Sequence, residues 1–232
     1  MGSLQAYPLE LNADAIRWSY DWRRNSPYLF QLLLACFTYY PETRLKGRDL
    51  NEAAKLFELL ANHAVGIYIG GQAANVGFPR VGNVPKSFPK CLDQVCAELG
   101  ELRGETESFG GNTKDEHVDT IAWRPFGDRR PNQAIMLLQC GTGSDWKDKA
   151  HDIVIDVWDD LIDYAVVPSK GLAFPFFCRD SLEWRKLSKE AGILLDRLRL
   201  SSLFYEQPQL ELEATVVAWC EKWLRSLDPL SL

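Results

Sequence analysis

The chain has 232 residues, with 26 Lys plus Arg against 32 Asp plus Glu and a net charge of −6. Hydrophobic residues make up 46% and charged residues 25%, which is ordinary globular composition and excludes a disordered tail, a collagenous chain or a coiled-coil rod. The acidic balance argues against a non-specific nucleic-acid coat, while leaving room for an enzyme with a local basic cleft.

A core of this size needs no disulfide or metal staple. The six cysteines (Cys36, Cys91, Cys96, Cys140, Cys178 and Cys220) are scattered without a CxxC pair, so reduced buried thiols are expected. No basic region followed by an apolar run opens the chain, which predicts no secretory signal. The longest apolar stretches, such as Leu32 to Phe37, fall far below the roughly 20 residues that span a bilayer. The expectation is a soluble cytoplasmic protein without membrane contact.

Residues 1–48 read as a helical N-terminal layer. Asp14 to Arg24 places Ile16 with Tyr20, and Trp18 with Trp22, at i,i+4. Pro27 suits a helix start, and Tyr28 to Tyr39 continues it. Asp49 with Glu52 three residues on has capping-box spacing. Ala53, Leu56, Phe57, Leu60 and Ala64 then form one apolar stripe, ended by Gly70-Gly71. Residues 70–87, rich in Gly, Pro and Asn, read as a loop. Phe88 to Glu101 is a short helix with Leu92, Val95, Cys96 and Leu99 on one side.

His117 to Trp123 alternates and is β-rich, and Ala134 to Cys140 is an apolar run of buried-strand type. Pro125, Gly127, Asp128, Pro131 and Asn132 lie between them, so the pair predicts a β-hairpin. Helix is expected through much of 145–164, a strand over Leu172 to Cys178, and a helix over Ser181 to Glu190. Gly192 to Leu200 reads as a strand and Gln209 to Leu227 as a closing amphipathic helix. The predicted architecture is a single α/β domain. It comprises a helical layer at 1–48, a core at 49–200 built on a mixed central sheet flanked by helices, and a closing helix at 201–232.

A hairpin turn centred near residue 129 sets Asp119 opposite Gln139 at the open end. Asp115 and Glu116 lie just upstream; Lys147 and Lys149 lie just downstream. A carboxylate, a second oxygen donor and a lysine gathered at one place are the parts of a magnesium-dependent phosphodiesterase. Mg²⁺ prefers one or two carboxylates with waters and substrate phosphate, and a lysine can orient water or offset transition-state charge.

The run Lys114 to Trp123, followed by Leu138-Gln139-Cys140, resembles the core of restriction-endonuclease-like nucleases of the PD-(D/E)XK superfamily. It is closest to the Mrr-like branch, with Asp on one strand and Gln-x-Lys on the next. Leu56-Phe57-Glu58-Leu59-Leu60 is similar to the first-helix signature of that branch. The resemblance covers roughly residues 50–200 as an order of elements and implies a restriction-endonuclease-like core. It implies Asp119 and Gln139 as Mg²⁺ ligands (Mn²⁺ substituting), Glu58 as the accessory acid and a lysine assisting the water. The family's lysine position holds Gly141. Lys147 is the nearest replacement and Lys149 the second. The implied activity is Mg²⁺-dependent endonucleolytic cleavage of DNA in bacterial restriction or anti-phage defence, controlled by a partner chain or by homo-oligomerisation. The alternative is a weak or inactive nuclease-fold subunit that binds a partner protein or nucleic acid.

Blander roles stand beside these. Asp119 could end a strand in solvent, Gln139 could be a buried amide satisfied by backbone, Glu58 could edge its helix, and the lysines could be surface charge. Trp123 to Arg130 mixes aromatic and basic residues at the hairpin tip, so Arg124, Arg129 and Arg130, with Lys149, are candidate nucleic-acid contacts, though a protein-docking or packed turn fits as well. His63, His117 and His151 are isolated, with His117 two residues from Asp119. Gly141 to Lys147 lacks the Gly that a Walker A loop needs before its Lys.

Overall fold

The computed structural model describes residues 8–12, 15–19, 21–40, 45–80, 84–104, 115–128 and 130–227. The first element is a hairpin of strands, β1 (Leu9–Asn12) and β2 (Ala15–Trp18), rather than the helix expected from Asp14 to Arg24. The i,i+4 spacing that suggested a helix is also a multiple of two, so it fits a strand equally. Asp21 then caps a 3-10 turn at Trp22–Asn25, its carboxylate accepting the Arg23 N–H. The expected N-terminal helix survives as α1 (Ser26–Tyr39), with Pro27 in its first turn.

Helix α2 (Gly47–Ile69) starts two residues before Asp49 and ends at Gly70 in the left-handed region, φ +68°. The expected capping box does not form. Asp49 pairs with Lys222, and Glu52 with Arg48. Ala53, Leu56, Phe57, Leu60 and Ala64 are buried as a stripe, as their spacing predicted. Strand β3 (Gln72–Asn75) follows where a loop was expected. Its polar and small residues carry no apolar alternation, so pairing with a neighbour decides its conformation.

Next come α3 (Phe88–Leu99), β4 (Leu102–Arg103), β5 (Thr120–Arg124) and β6 (Ala134–Cys140). The segment read as a helix over 145–164 is broken instead. It contains a 3-10 turn at Asp148–His151, a short α4 (Ile155–Asp159) and β7 (Ile162–Asp163). Strand β8 (Ser169–Ala173) stops before the Phe174-Pro175 step, consistent with proline ending a ladder. Helix α5 (Ser181–Ala191) leads to β9 (Ile193–Leu195). The strand expected to reach Leu200 ends there because Asp196 caps α6 (Arg197–Glu206), accepting the Arg199 N–H at 3.0 Å. Helix α7 (Leu210–Leu227) closes the chain.

The central sheet is mixed and five-stranded, in the order β3-β5-β6-β8-β9. β3, β5 and β6 pair antiparallel; β6, β8 and β9 pair parallel. Alternation sorts the side chains. Ala122, Met136, Leu138, Cys140, Ala173 and Leu195 face the layer of α1, α2, α6 and α7. Ile121, Trp123, Ile135 and Leu137 face α3 and the 153–164 segment. A third cluster lies under α5, where Trp146 and Ala150 join Leu172, Phe174 and Leu194. The sheet is thus covered by helices on both faces, which is the expected α/β architecture. No helix among the described residues is long and apolar enough to cross a membrane.

Candidate active site

The predicted hairpin register is present. Thr120 pairs with Leu138 and Arg124 with Ala134. The turn therefore centres on residue 129, and Asp119 stands at the open end of the β5–β6 hairpin. Asp119 itself precedes the strand, and its N–H donates to the Leu138 carbonyl at 2.9 Å. Glu116 and His117 just before it take positive φ of 43° and 62°. Such left-handed non-glycine residues are uncommon and carry local strain. This turn releases Asp119 from strand alternation, so its carboxylate reaches toward α2.

There Asp119 is held tightly. Its Oδ2 accepts the Cys140 N–H at 2.7 Å, and its own carbonyl accepts the N–H groups of Val76 and Gly77 at 2.8 and 3.0 Å. Gly77 makes room for the carboxylate, because a Cβ there would stand 2.6 Å from Asp119 Oδ1. Burial pushes the Asp119 carboxyl up to about 7, and the Glu58 charge adds to the rise. Asp115 raises it further, while the Cys140 N–H and Lys149 oppose.

Glu58 comes from the middle of α2. Lys55 one helical turn earlier bonds its Oε2 at 2.7 Å, and both side chains are only 15% exposed. Lys55 Nζ also donates to Asn75 Oδ1 on β3 at 2.8 Å. Burial raises the Glu58 carboxyl, against the pull of Lys55, and Asp115 adds like-charge repulsion. Asp115 is fixed by the Phe78 N–H at 3.1 Å and the His117 N–H at 3.2 Å. Three carboxylates, from α2 and from the segment before β5, thus repel one another across a small region.

Of the two candidate lysines, Lys149 is the one placed beside Gly141 and Asp119. A Cβ placed on Gly141 would lie 3.3 Å from Lys149 Cδ, so the Lys149 stem runs beside the vacant motif position. Lys149 lowers the Asp119 carboxyl electrostatically. Lys147 is placed elsewhere. It is about half exposed and pairs with Glu183 at the start of α5. The physical reason is Trp146, which buries under α5 and turns the next residue outward.

Gln139 is also turned from the expected arrangement. Cys140, Leu138 and Met136 share the face toward α2, so Gln139 takes the other face. Its Nε2 donates to Asp152 Oδ2 at 2.9 Å, and its buried Oε1 has no partner among the described residues. Cys140 lies near the acids, and burial, then Asp119 and Glu58, push its thiol up. The hairpin tip lies at the opposite end of β5. Arg124 is five residues from Asp119, about 17 Å of strand, and both Arg124 and Arg130 are exposed. Arg129 lies outside the described residues.

Sequence reasoning missed Lys55, Asn75 and Gly77. The i,i+3 spacing of Lys55 and Glu58 was the available signal for the first; the other two sit on a strand and loop with no pattern of their own.

Among the described residues, no group of three or more His, Cys, Asp or Glu side chains is arranged to hold a metal ion. Mg²⁺ asks for less, taking one or two carboxylates and completing its octahedron with waters and phosphate. Asp119 and Glu58 supply hard oxygen donors whose mutual repulsion a divalent cation would relieve. The donor set fits the ion. No family model matches the chain, and no curated protein or solved structure matches it either.

Proposed function

We propose that the chain is a Mg²⁺-dependent endonuclease that hydrolyses DNA phosphodiester bonds, with a PD-(D/E)XK-type core. The observation that carries this reading is the meeting of Glu58 and Asp119, residues 61 positions apart in sequence, close enough for the charge of one to raise the carboxyl of the other. A buried pair of repelling carboxylates is costly to fold, and such perturbed groups concentrate at functional sites. The adjacent lysine is the third part of the same chemistry.

In this reading Asp119 and Glu58 hold the ion, and Gln139, expected as a ligand, stays on the other face of β6 with Asp152. The bound cation supplies Lewis acidity toward the phosphoryl oxygen and a more acidic water. The chain's own residues do the rest. Cys140 N–H and Gly77 fix the Asp119 carboxylate, and Lys55 fixes Glu58. The Lys149 ammonium orients the attacking water and offsets charge on the pentavalent phosphorus. The water oxygen bonds to phosphorus, one bridging P–O bond breaks, and the departing oxygen takes up a proton. A role in restriction or anti-phage defence, under control of a partner chain or of self-association, accompanies the proposal.

The rival is a nuclease-fold subunit that binds without cutting. Gln139 favours it, because its amide is committed to Asp152 rather than to Asp119. Supercoiled plasmid with Mg²⁺ or Mn²⁺ separates the two. Nicking that EDTA and Asp119→Ala both abolish supports the enzyme. Nicking by Asp119→Ala at the wild-type rate would sink the assignment.

A further inference from the structure

A cleft lies on the side of Trp146 away from Gly141. It measures about 460 Å³ and is walled by Tyr39, Trp146, Phe176, Phe177, Arg179 and Arg197. Its floor is rigid. Trp146 stacks on Phe174 with centroids 4.0 Å apart and on Phe176 at 5.6 Å, and its Nε1 donates to the Tyr39 hydroxyl at 3.3 Å. Its rim is apolar yet open, since Tyr39 and Phe177 are each 52% exposed.

The charges around it are unevenly spent. Lys147 and Glu183 neutralise one another. Asp180 is occupied as the cap of α5, accepting the N–H groups of Leu182 and Glu183. Arg179 is exposed and makes no hydrogen bond or ion pair among the described residues. The half-buried Arg197 guanidinium lies over the Tyr28 ring and donates one N–H to the Pro175 carbonyl at 3.4 Å, while its Nε has no acceptor among the described residues. What remains is the exposed Arg179, with Arg197 behind it, beside the exposed rings of Tyr39 and Phe177.

We infer that this cleft seats an unpaired nucleotide of single-stranded DNA, its base stacked on Phe177 and Tyr39 and its phosphates on Arg179 and Arg197. Flat rings with a π-face suit any unstacked base, and arginines track the backbone. A duplex keeps its base faces covered, so it leaves these rings unused. The cleft adjoins the acidic cluster through one short segment. Trp146 forms the floor of the cleft, and Lys149, three residues on, lies at the cluster, with Gly141 packed against both. Where the cluster cuts DNA, as proposed above, the inference makes its substrate single-stranded or locally melted.

The test is fluorescence anisotropy in EDTA with a fluorescein-labelled oligothymidylate of about 16 nucleotides and a duplex of equal length. The proteins are wild type, Phe177→Ala/Arg179→Ala and Lys90→Ala, with circular dichroism verifying the fold of each. The single strand should bind wild type at least about tenfold tighter than the duplex, and Phe177→Ala/Arg179→Ala should lose about tenfold or more. Lys90→Ala, an exposed position on α3 outside the cleft, should stay within about threefold, as expected of one surface charge. Equal or tighter duplex binding, or unchanged binding by the folded double variant, overturns the inference. Strand binding that depends on Phe177 and Arg179, in a protein that never nicks DNA with Mg²⁺, upholds the cleft and removes only the nuclease reading.

Discussion

Lys149 lies against Gly141, so close that a Cβ on the glycine would stand 3.3 Å from Lys149 Cδ. The position that would carry the motif lysine is thus empty of side chain, and a lysine eight residues later in the chain fills the space. If Lys149 assists hydrolysis, Lys149→Ala should slow single-turnover cleavage at saturating DNA by about 10²-fold or more. Lys147→Ala should change that rate by less than about threefold, since its ammonium is tied to Glu183 near the surface. Equal effects of the two variants would reverse the assignment.

Gly141 itself is constrained from two sides. A Cβ there would also stand 2.9 Å from Trp146 Cβ. Gly141→Ala should destabilise the protein by about 1–3 kcal/mol through overpacking, read as a lower midpoint in denaturant. Gly127→Ala is the contrast. Its φ is +81° but no atom of the described residues lies within 4 Å of the added Cβ, so the backbone strain of about 1–2 kcal/mol is the expected cost.

These two lysines mark the limit of what the sequence discloses. The apolar run of β6 and the turn residues before it fixed both the hairpin and its register, so the position of Asp119 was legible. The stripe on α2 made Glu58 legible once the resemblance was admitted. The lysine was not, because a continuous helix over 145–164 would start with Lys147 and Lys149 together. The chain instead makes a 3-10 turn whose direction is set by burying Trp146, a tertiary event with no local signature. Gln139 shows the same limit. Register placed it opposite Asp119, but alternation turns its side chain to Asp152, while the strained turn at Glu116-His117 turns Asp119 the other way. The strand at 72–75 was missed because Gln72 to Asn75 has no apolar pattern.

The raised carboxyl of Asp119 makes stability depend on pH. Its folded value is about 7, against an ordinary value of 3.8. The folded state therefore holds the proton more tightly than the unfolded chain. The resulting stabilisation is fully present below about pH 4 and is lost as pH rises through about 7. Without divalent cation, wild type should lose on the order of a few kcal/mol across that window relative to Asp119→Asn. Millimolar Mg²⁺ should raise the melting temperature more at the alkaline end, where both acids are ionised, than at the acidic end. Thermal melts in a pH series with and without Mg²⁺ measure both effects. A Mg²⁺ shift independent of pH, or retained by Asp119→Asn, would place the ion elsewhere.

Lys55 and Glu58 form a pair whose two halves should behave differently. Both are largely buried, and the ammonium also holds Asn75 on β3. Removing one partner of such a pair leaves an uncompensated charge, at a cost of about 3–5 kcal/mol when fully buried. Lys55→Met should therefore destabilise strongly at neutral pH. The loss should shrink in acid, because Glu58, already raised by burial, rises further without its ammonium and is then protonated. Adding Glu58→Gln should recover most of the lost stability, giving a large coupling energy in a double-mutant cycle. Cleavage should follow a different pattern. The double variant regains its fold but lacks the accessory acid, so it should stay slow even where it is stable. If stability and activity recover together, Glu58 serves only to satisfy Lys55, and the metal would rest on Asp119 without it.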